Sequence, residues 1–362
     1  MNCWKLQKLQ TQNFRNLDSS VFSFVEGINC IFGNNGNGKT NLLEAVYYLT
    51  NKKSFRKNTS FTQMINIEGE NPQIILQAVF TDDKNLSSYS LRESEQAQER
   101  YWDNLPAKGK TPTSSVFINP FDSYQFHNSS TFRRQWLDSQ LSLIDNEYKK
   151  TLSAFQKAMK FRNSLLPQGI KTQLQLRAID EQIAVQSALI TKKRVEFTQD
   201  LTKFITPCFS QVFAEEHQLA LELDSLFVHW DQQKIYEYYR HQESVDYKNG
   251  MTQVGIHRDD AVFYFDGLNA FEFCSLGQQK MGFLSLIFAY IELFRYKFNS
   301  YPIVLIDDVS GELDGQRWKN LIQYLETKRF QVLITTANEN FGQELEKIPN
   351  SKKFFITQGK LV

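Results

Sequence analysis

Eight residues near the start of this 362-residue chain carry its strongest chemical signal. Gly33-Asn34-Asn35-Gly36-Asn37-Gly38-Lys39-Thr40 follows the order Gly, four residues, Gly-Lys-Thr, the pattern of a phosphate-binding loop. Its glycines let backbone N–H groups converge on phosphate oxygens, and a helix beginning there adds a favourable dipole. Lys39 would reach the β- and γ-phosphates of ATP, and Thr40 would place a hydroxyl on Mg²⁺. The alternative is a Gly/Asn-rich turn that binds nothing. Context favours the loop: residues 21–24 and 28–32 read as strands with Glu26-Gly27 as their turn, and the second strand feeds the loop directly. Leu43, Val46 and Tyr47 then stand at helical spacing and predict an amphipathic helix over 41–49.

Two further elements lie near the other end. Residues 303–306 are apolar on both alternating faces, as a central parallel strand should be, and lead into Asp307-Asp308. Open α/β sheets bind ligands at that strand end. Asp307 suits Mg²⁺, which takes one or two carboxylates plus substrate phosphates. Asp308 would then face the attacking water as polariser or general base. An Asp-Asp turn capping the next helix is the alternative. Ser275-Leu276-Gly277-Gln278-Gln279 precedes a long, mostly apolar helix over 280–298. A serine hydroxyl, a close-approach glycine and a helix N-terminus together suit a γ-phosphate, although the same residues also make an ordinary N-cap.

With these motifs in this order, the chain resembles the RecF family of bacterial recombination mediators, ABC-type ATPases related to the SMC heads. The matching residues run almost end to end. They include Asn13-Phe14-Arg15-Asn16, the phosphate loop with Thr40-Asn41-Leu42-Leu43-Glu44-Ala45, and Ser54-Phe55-Arg56. Further on come Pro120-Phe121-Asp122, Arg133-Arg134-Gln135-Trp136-Leu137-Asp138 and Arg162-Asn163-Ser164-Leu165-Leu166. The last group is Gly255-Ile256-His257-Arg258-Asp259-Asp260, the Ser275 element, and Asp307-Asp308-Val309 with Glu312-Leu313-Asp314. The resemblance implies a DNA-binding clamp that closes as a homodimer on ATP. Arg15, Ser275, Gly277 and Gln278 would join the nucleotide site, Ser275 and Gly277 from the opposite subunit. It further implies weak DNA-dependent ATP hydrolysis with Lys39 and Asp308 catalytic, and work with RecO and RecR to load RecA at duplex or gapped DNA in repair and replication restart.

The chain departs from the family pattern in three places. Leu276 stands where Gln is usual, Gly311 replaces a Ser after the second carboxylate, and Val332-Leu333-Ile334-Thr335-Thr336 lacks the histidine many ABC ATPases carry there. The departures imply slow hydrolysis. Gly311 and the missing histidine leave open a nucleotide-stabilised scaffold with little turnover; a separate alternative is an ATPase coupled to a protein or membrane partner.

Such motifs need two lobes to position them. Residues 1–118 and 248–362 are expected to form an α/β ABC-type ATPase lobe, with 82–112 as loose hairpins at its edge. Residues 119–247 are expected to form an inserted helical lobe, broken at Pro167-Gln168-Gly169 into a hairpin. Leu176, Ile183, Ile190, Phe197 and Phe204 recur every seven residues, but Gln186 and Lys193 interrupt the companion seam. An arm of ~35 residues spans only about 50 Å, which excludes the long arms of SMC proteins.

Composition sets the remaining bounds. With 41 Lys and Arg against 40 Asp and Glu, the net charge is +1, so any DNA contact must come from local patches. Basic clusters occur at Lys52-Lys53 with Arg56-Lys57, at Arg133-Arg134, from Lys149-Lys150 to Lys160-Arg162, and at Lys192-Lys193-Arg194. Each alone reads as a solvated helix face, and Arg133-Arg134 also as structural. His257-Arg258-Asp259-Asp260 reads equally as an ion-paired turn or as a neighbour of the nucleotide. Cys3, Cys30, Cys208 and Cys274 show no metal spacing and fit a reducing cytosol. No signal-peptide pattern opens the chain, and the apolar stretch 283–291 is too short to span a bilayer, so a cytoplasmic location without a membrane partner is expected.

Overall fold

The computed structural model describes residues 4–17, 19–56, 59–66, 73–82, 84–108, 111, 113–119, 121–308, 315–328, 330–337 and 348–362. In chain order the elements are β1 (Lys5–Gln12), β2 (Val21–Ser23), β3 (Ile28–Phe32), α1 (Lys39–Asn51), α2 (Phe61–Met64), β4 (Ile74–Thr81), β5 (Leu86–Glu93), β6 (Gln98–Trp102), β7 (Leu105–Pro106) and β8 (Ser115–Ile118). There follow α3 (Asp122–Asn128), α4 (Ser130–Ile144), α5 (Asn146–Leu165), α6 (Gln173–Phe213), β9 (Leu219–Asp224), α7 (Gln232–Asn249), β10 (Asp260–Phe265), β11 (Leu268–Asn269) and α8 (Ala270–Phe273). The last are α9 (Leu276–Phe298), β12 (Ile303–Asp307), α10 (Gly315–Thr327), β13 (Val332–Thr336), β14 (Ser351–Thr357) and β15 (Lys360–Leu361). Two compact units result: Met1–Asp122, Gln211–Ala214 and Phe294–Val362 form one, Ser123–Ser210 and Glu215–Leu293 the other.

The first unit holds two six-stranded sheets. One is antiparallel, in the order β2-β1-β4-β5-β6-β7. Its strands alternate: Ile74, Leu76, Ala78 and Phe80 of β4 are buried while the residues between them are not. The other runs β15-β14-β3-β13-β12-β8, with β14, β3, β13, β12 and β8 mutually parallel. Here β3 and β13 are buried along their whole length, the pattern of a parallel sheet covered on both faces. Leu42, Leu43, Val46 and Leu49 of α1 join both sheets in one core, with Leu9 and Leu76 from one side and Ile31, Leu305 and Leu333 from the other.

Two local expectations are corrected. Strands β2 and β3 are not a hairpin: β2 pairs with β1, whereas β3 lies between β13 and β14. Fully buried Asn29 explains the parting, because its side chain supplies the hydrogen bonds a hairpin ladder would have made. Its Oδ1 accepts from Val25 N at 2.8 Å, and its Nδ2 donates to Val25 O at 2.9 Å and Val332 O at 3.2 Å. The hairpins expected over 82–112 do lie at the edge of the sheet, but their described residues pair regularly instead of loosely. Strand β5 pairs with β4 from Thr81↔Leu86 to Ile74↔Glu93, burying Tyr89 and Leu91 while its polar residues form the outer face.

The second unit is helical around a three-stranded sheet, β11-β10-β9. The break at 167–169 is present as a short 3₁₀ turn, with Gly169 at φ 72°. Leu176, Ile183, Ile190 and Phe197 are buried as the seven-residue spacing required; Phe204 is only partly so. The unit keeps residues 248–293, so the return to the first unit falls at Phe294 and not at 248. Strand pairing between β10 and β9 is one reason. Ion pairs are the other, and they assign most of the arginines in the basic clusters.

Arg133 donates to Asp260 through Nε at 2.7 Å and Nη2 at 2.5 Å, and Arg134 donates to Asp259 O at 2.7 Å. Arg194 bridges Asp138 at 2.8 Å and Asp259 at 2.7 Å. Arg162, with no exposed surface, holds Asp180 at 2.6 Å and Asp246 at 2.7 Å. These are buried or half-buried structural contacts, so the Arg-Arg and His-Arg-Asp-Asp motifs are two halves of one framework. Lys193 is likewise paired, with Asp145 and Glu147. Among the basic residues of α5 and α6, Lys149, Lys150, Lys157, Lys160, Arg177, Lys192 and Lys203 are exposed. Among the described residues no helix is long and apolar enough to cross a membrane.

Candidate active site

The phosphate loop leaves the end of β3 and runs into α1. Gly33, Gly36 and Gly38 have φ of 151°, 84° and 99°, the region that favours glycine. At Gly33 and Gly38 space matters as well: a Cβ would lie 2.3 Å from Ile356 O and 2.9 Å from Asn16 Oδ1 respectively. Helix α1 begins at Lys39, so its first N–H groups have no acceptor within the helix and are available to an anion. Asn34, Asn35 and Gly36 are exposed, while Lys39 is buried with its Nζ donating to Gly33 O at 2.5 Å and Asn34 O at 3.2 Å. Burial lowers the Lys39 pKa, against the opposing fields of Asp308 and Asp307.

Strand β12 brings Asp307 to Thr40. Thr40 Oγ1 lies 3.0 Å from both carboxylate oxygens, and Thr335 Oγ1, at the end of neighbouring β13, donates to Asp307 Oδ1 at 2.6 Å. The cluster offers carboxylate and hydroxyl oxygens, the donors Mg²⁺ prefers. Asp308 is exposed, with φ 44°, a left-handed conformation that Asp tolerates. Its amide donates to Thr335 O at 3.2 Å and Oγ1 at 3.1 Å. Thr335 was not among the expected site residues. Its role depends on β12 and β13 being neighbours, Asp307 opposite Thr335, which no local pattern announces.

Arg15 sits beside this centre in a bidentate pair with fully buried Glu44, Nε at 3.1 Å and Nη2 at 2.7 Å. Ser54 Oγ donates to the same carboxylate at 2.6 Å, and Arg56 Nη1 lies 3.1 Å from it. Two guanidinium groups and one carboxylate leave an excess positive charge on the flank of α1.

The Ser275 element belongs to the second unit. Ser275 N donates to Gln278 Oε1 at 2.9 Å and Gln278 N donates to Ser275 Oγ at 3.3 Å, a reciprocal cap at the start of α9. A hydroxyl that accepts there still has its proton to donate, so the cap is compatible with a phosphate contact. Ser275, Leu276 and Gly277 are exposed. Val309, Gly311, Glu312, Leu313 and Asp314 lie outside the described residues, as do Cys3, Lys57 and Pro120.

Comparison with known proteins bears on the family and the fold. The family model described as RecF/RecN/SMC N terminal domain matches residues 5–355. The DNA replication and repair protein RecF of Agathobacter rectalis is 31% identical over 371 residues, covering 98% of each chain. That of Staphylococcus carnosus is 29% identical over 371 residues, covering 99% of this chain and all of the relative. The solved structure of the recombination mediator protein RecF-ATPrS in the RecFOR pathway has a TM-score of 0.86 at 25% identity, covering 99% of this chain and 98% of that one. An Smc head domain from Pyrococcus furiosus gives 0.54 at 14%, covering 99% and 96%, a likeness of fold alone. An ABC-type ATPase head with an inserted helical lobe, matched from end to end by these relatives, places this chain in the RecF family.

Proposed function

We propose that the chain is an ATP-dependent DNA-binding clamp of recombinational repair and replication restart, a homodimer closed by ATP that helps load RecA with RecO and RecR. Its relatives' names, DNA replication and repair protein and recombination mediator, support the process. What carries the nucleotide chemistry is the joining of Thr40, Asp307, Thr335 and Asp308 at the mouth of the phosphate loop.

Residues 33–40 would cradle the triphosphate, with Lys39 neutralising the β- and γ-oxygens. Thr40 and Asp307 would hold Mg²⁺, which neutralises charge developing on those oxygens. Asp308, exposed at the strand end, would orient and deprotonate water. Arg15 would need to turn from Glu44 to reach a phosphate. Ser275, Gly277 and Gln278 of a second copy would complete the γ-phosphate site, so that hydrolysis releases the clamp. Weak, DNA-dependent hydrolysis follows.

The test is DNA affinity by fluorescence anisotropy, with and without ATP-Mg²⁺, on duplex, single-stranded and gapped substrates. Tighter binding to duplex or gapped DNA only with ATP, abolished by Lys39→Ala, is expected. Unchanged DNA affinity in a protein that binds ATP would overturn the clamp and favour an ATPase coupled to a protein partner.

A further inference from the structure

A phosphate loop can offer its amides to an anion only if its carbonyls are engaged by other donors, and five of them are. Gly33 O and Asn34 O accept from Lys39 Nζ, and Asn34 O also accepts from Asn37 N at 3.2 Å. Gly38 O accepts from Leu42 N at 3.0 Å within α1. The other two are held from outside the loop. Gly36 O accepts from Asn16 Nδ2 at 3.3 Å, and Asn37 O accepts from Gly359 N at 2.9 Å.

The outside donors are themselves fixed. Asn41 Nδ2 donates to Asn16 Oδ1 at 2.7 Å, which orients the Asn16 amide, and Arg56 Nη2 donates to Asn41 Oδ1 at 2.7 Å. Gly359, in the turn between β14 and β15, has φ 78°, and a Cβ there would lie 1.6 Å from Asn16 O. The turn is thus pressed onto Asn16, and Gln358 N reaches Asn37 Oδ1 at 3.4 Å. Ile356 O backs Gly33 on the same side.

We propose that Asn16 and the Gln358-Gly359 turn are positioning residues for nucleotide binding, an external brace that sets the loop before the triphosphate arrives. The inference rests on the nucleotide reading above and adds elements outside the loop motif. Lys39 holds two carbonyls only while no phosphate competes for its ammonium. Asn16 and Gly359 carry no charge for a phosphate to draw away. They keep the Gly36 and Asn37 carbonyls from rotating toward an anion.

Titration of the full chain with a fluorescent ATP analogue and Mg²⁺ tests this, paired with thermal melts. Asn16 is exposed, so Asn16→Ala should fold with a melting temperature within about 3 °C of the parent. It should weaken the analogue by about tenfold, the equivalent of one or two lost hydrogen bonds. Hydrolysis at saturating ATP should stay within about threefold, because the brace does not touch the reacting atoms. Asn41→Ala should weaken binding less, and adding it to Asn16→Ala should change nothing further, since Asn41 acts through Asn16. Gly359→Ala should lose affinity as well; if it does not fold, the Asn16 and Asn41 variants still decide. Parental affinity in folded Asn16→Ala overturns the brace while leaving the nucleotide site intact. Failure of the parent to bind, alike in Lys39→Ala, overturns the nucleotide site and the brace with it.

Discussion

Thr335 donates its hydroxyl to Asp307 Oδ1 at 2.6 Å, so the proposed metal carboxylate is aimed from the neighbouring strand. Thr335 Oγ1 in turn accepts the Asp308 amide at 3.1 Å, which ties both carboxylate residues to one side chain. Thr335→Val keeps the shape and removes both contacts. ATP turnover should fall about tenfold while nucleotide affinity changes less than about threefold, the cost of one polar partner lost beside a charged group. Steady-state hydrolysis with a parallel nucleotide titration checks the split.

Asp308→Asn removes the proposed base but keeps the loop and Thr40. Nucleotide binding should persist, and hydrolysis should fall by at least about 100-fold, the usual loss for a general base. DNA complexes formed with ATP should then outlast those of the parent in a competitor-chase experiment. Equal dissociation rates would mean that hydrolysis does not drive release.

The phosphate loop and the paired carboxylates were legible because each is local, a short run whose neighbours reveal strand and helix. Asn16, Thr335 and Gly359 were not legible as site residues, because each acts through a contact between segments far apart in the chain. The Arg133 and Asp260 motifs were both conspicuous, yet their pairing across 127 positions was not. The β2–β3 corner departs from its sequence pattern for a different reason. A buried side-chain amide at Asn29 stood in for backbone pairing, so two strands with a short turn did not make a hairpin.

Buried Arg162 should be one of the costliest single positions in the second unit. Arg162→Met leaves Asp180 and Asp246 buried without their cation and should destabilise the fold by about 3–5 kcal/mol. Urea unfolding followed by tryptophan fluorescence measures it. Arg162→Lys should not restore the loss, since one ammonium cannot span both carboxylates and Thr252 in the same plane.

Acid should destabilise the protein partly through His127. Burial, with Arg133 adding repulsion, lowers its pKa from 6.5 to about 4. The folded state therefore resists a proton that the unfolded chain accepts. The stabilisation from this residue is complete above pH 6.5 and is lost as pH falls from 6.5 through about 4, about 3 kcal/mol in all. Unfolding midpoints at pH 7.5 and 4.5 should differ less in His127→Gln than in the parent.

The exposed lysines of α5 should carry part of any DNA affinity. Replacing Lys150, Lys157 and Lys160 together with Ala should reduce the slope of log affinity against log salt by about 3, near one per phosphate contact. An unchanged slope would place the DNA elsewhere on the surface.

Strand β3 has another consequence, one of timing. Its five buried residues feed the phosphate loop, yet both of its hydrogen-bonded neighbours, β13 and β14, lie about 300 residues later in the chain. At synthesis rates of about 5–20 residues per second, a growing chain leaves that strand unpaired for roughly 15–60 s before a partner is made. During this interval no nucleotide can rescue it, because the loop has no sheet to stand on. Translation therefore imposes a window in which the strand has no ladder to join, and only local packing of Ile31 against α1 can shelter it.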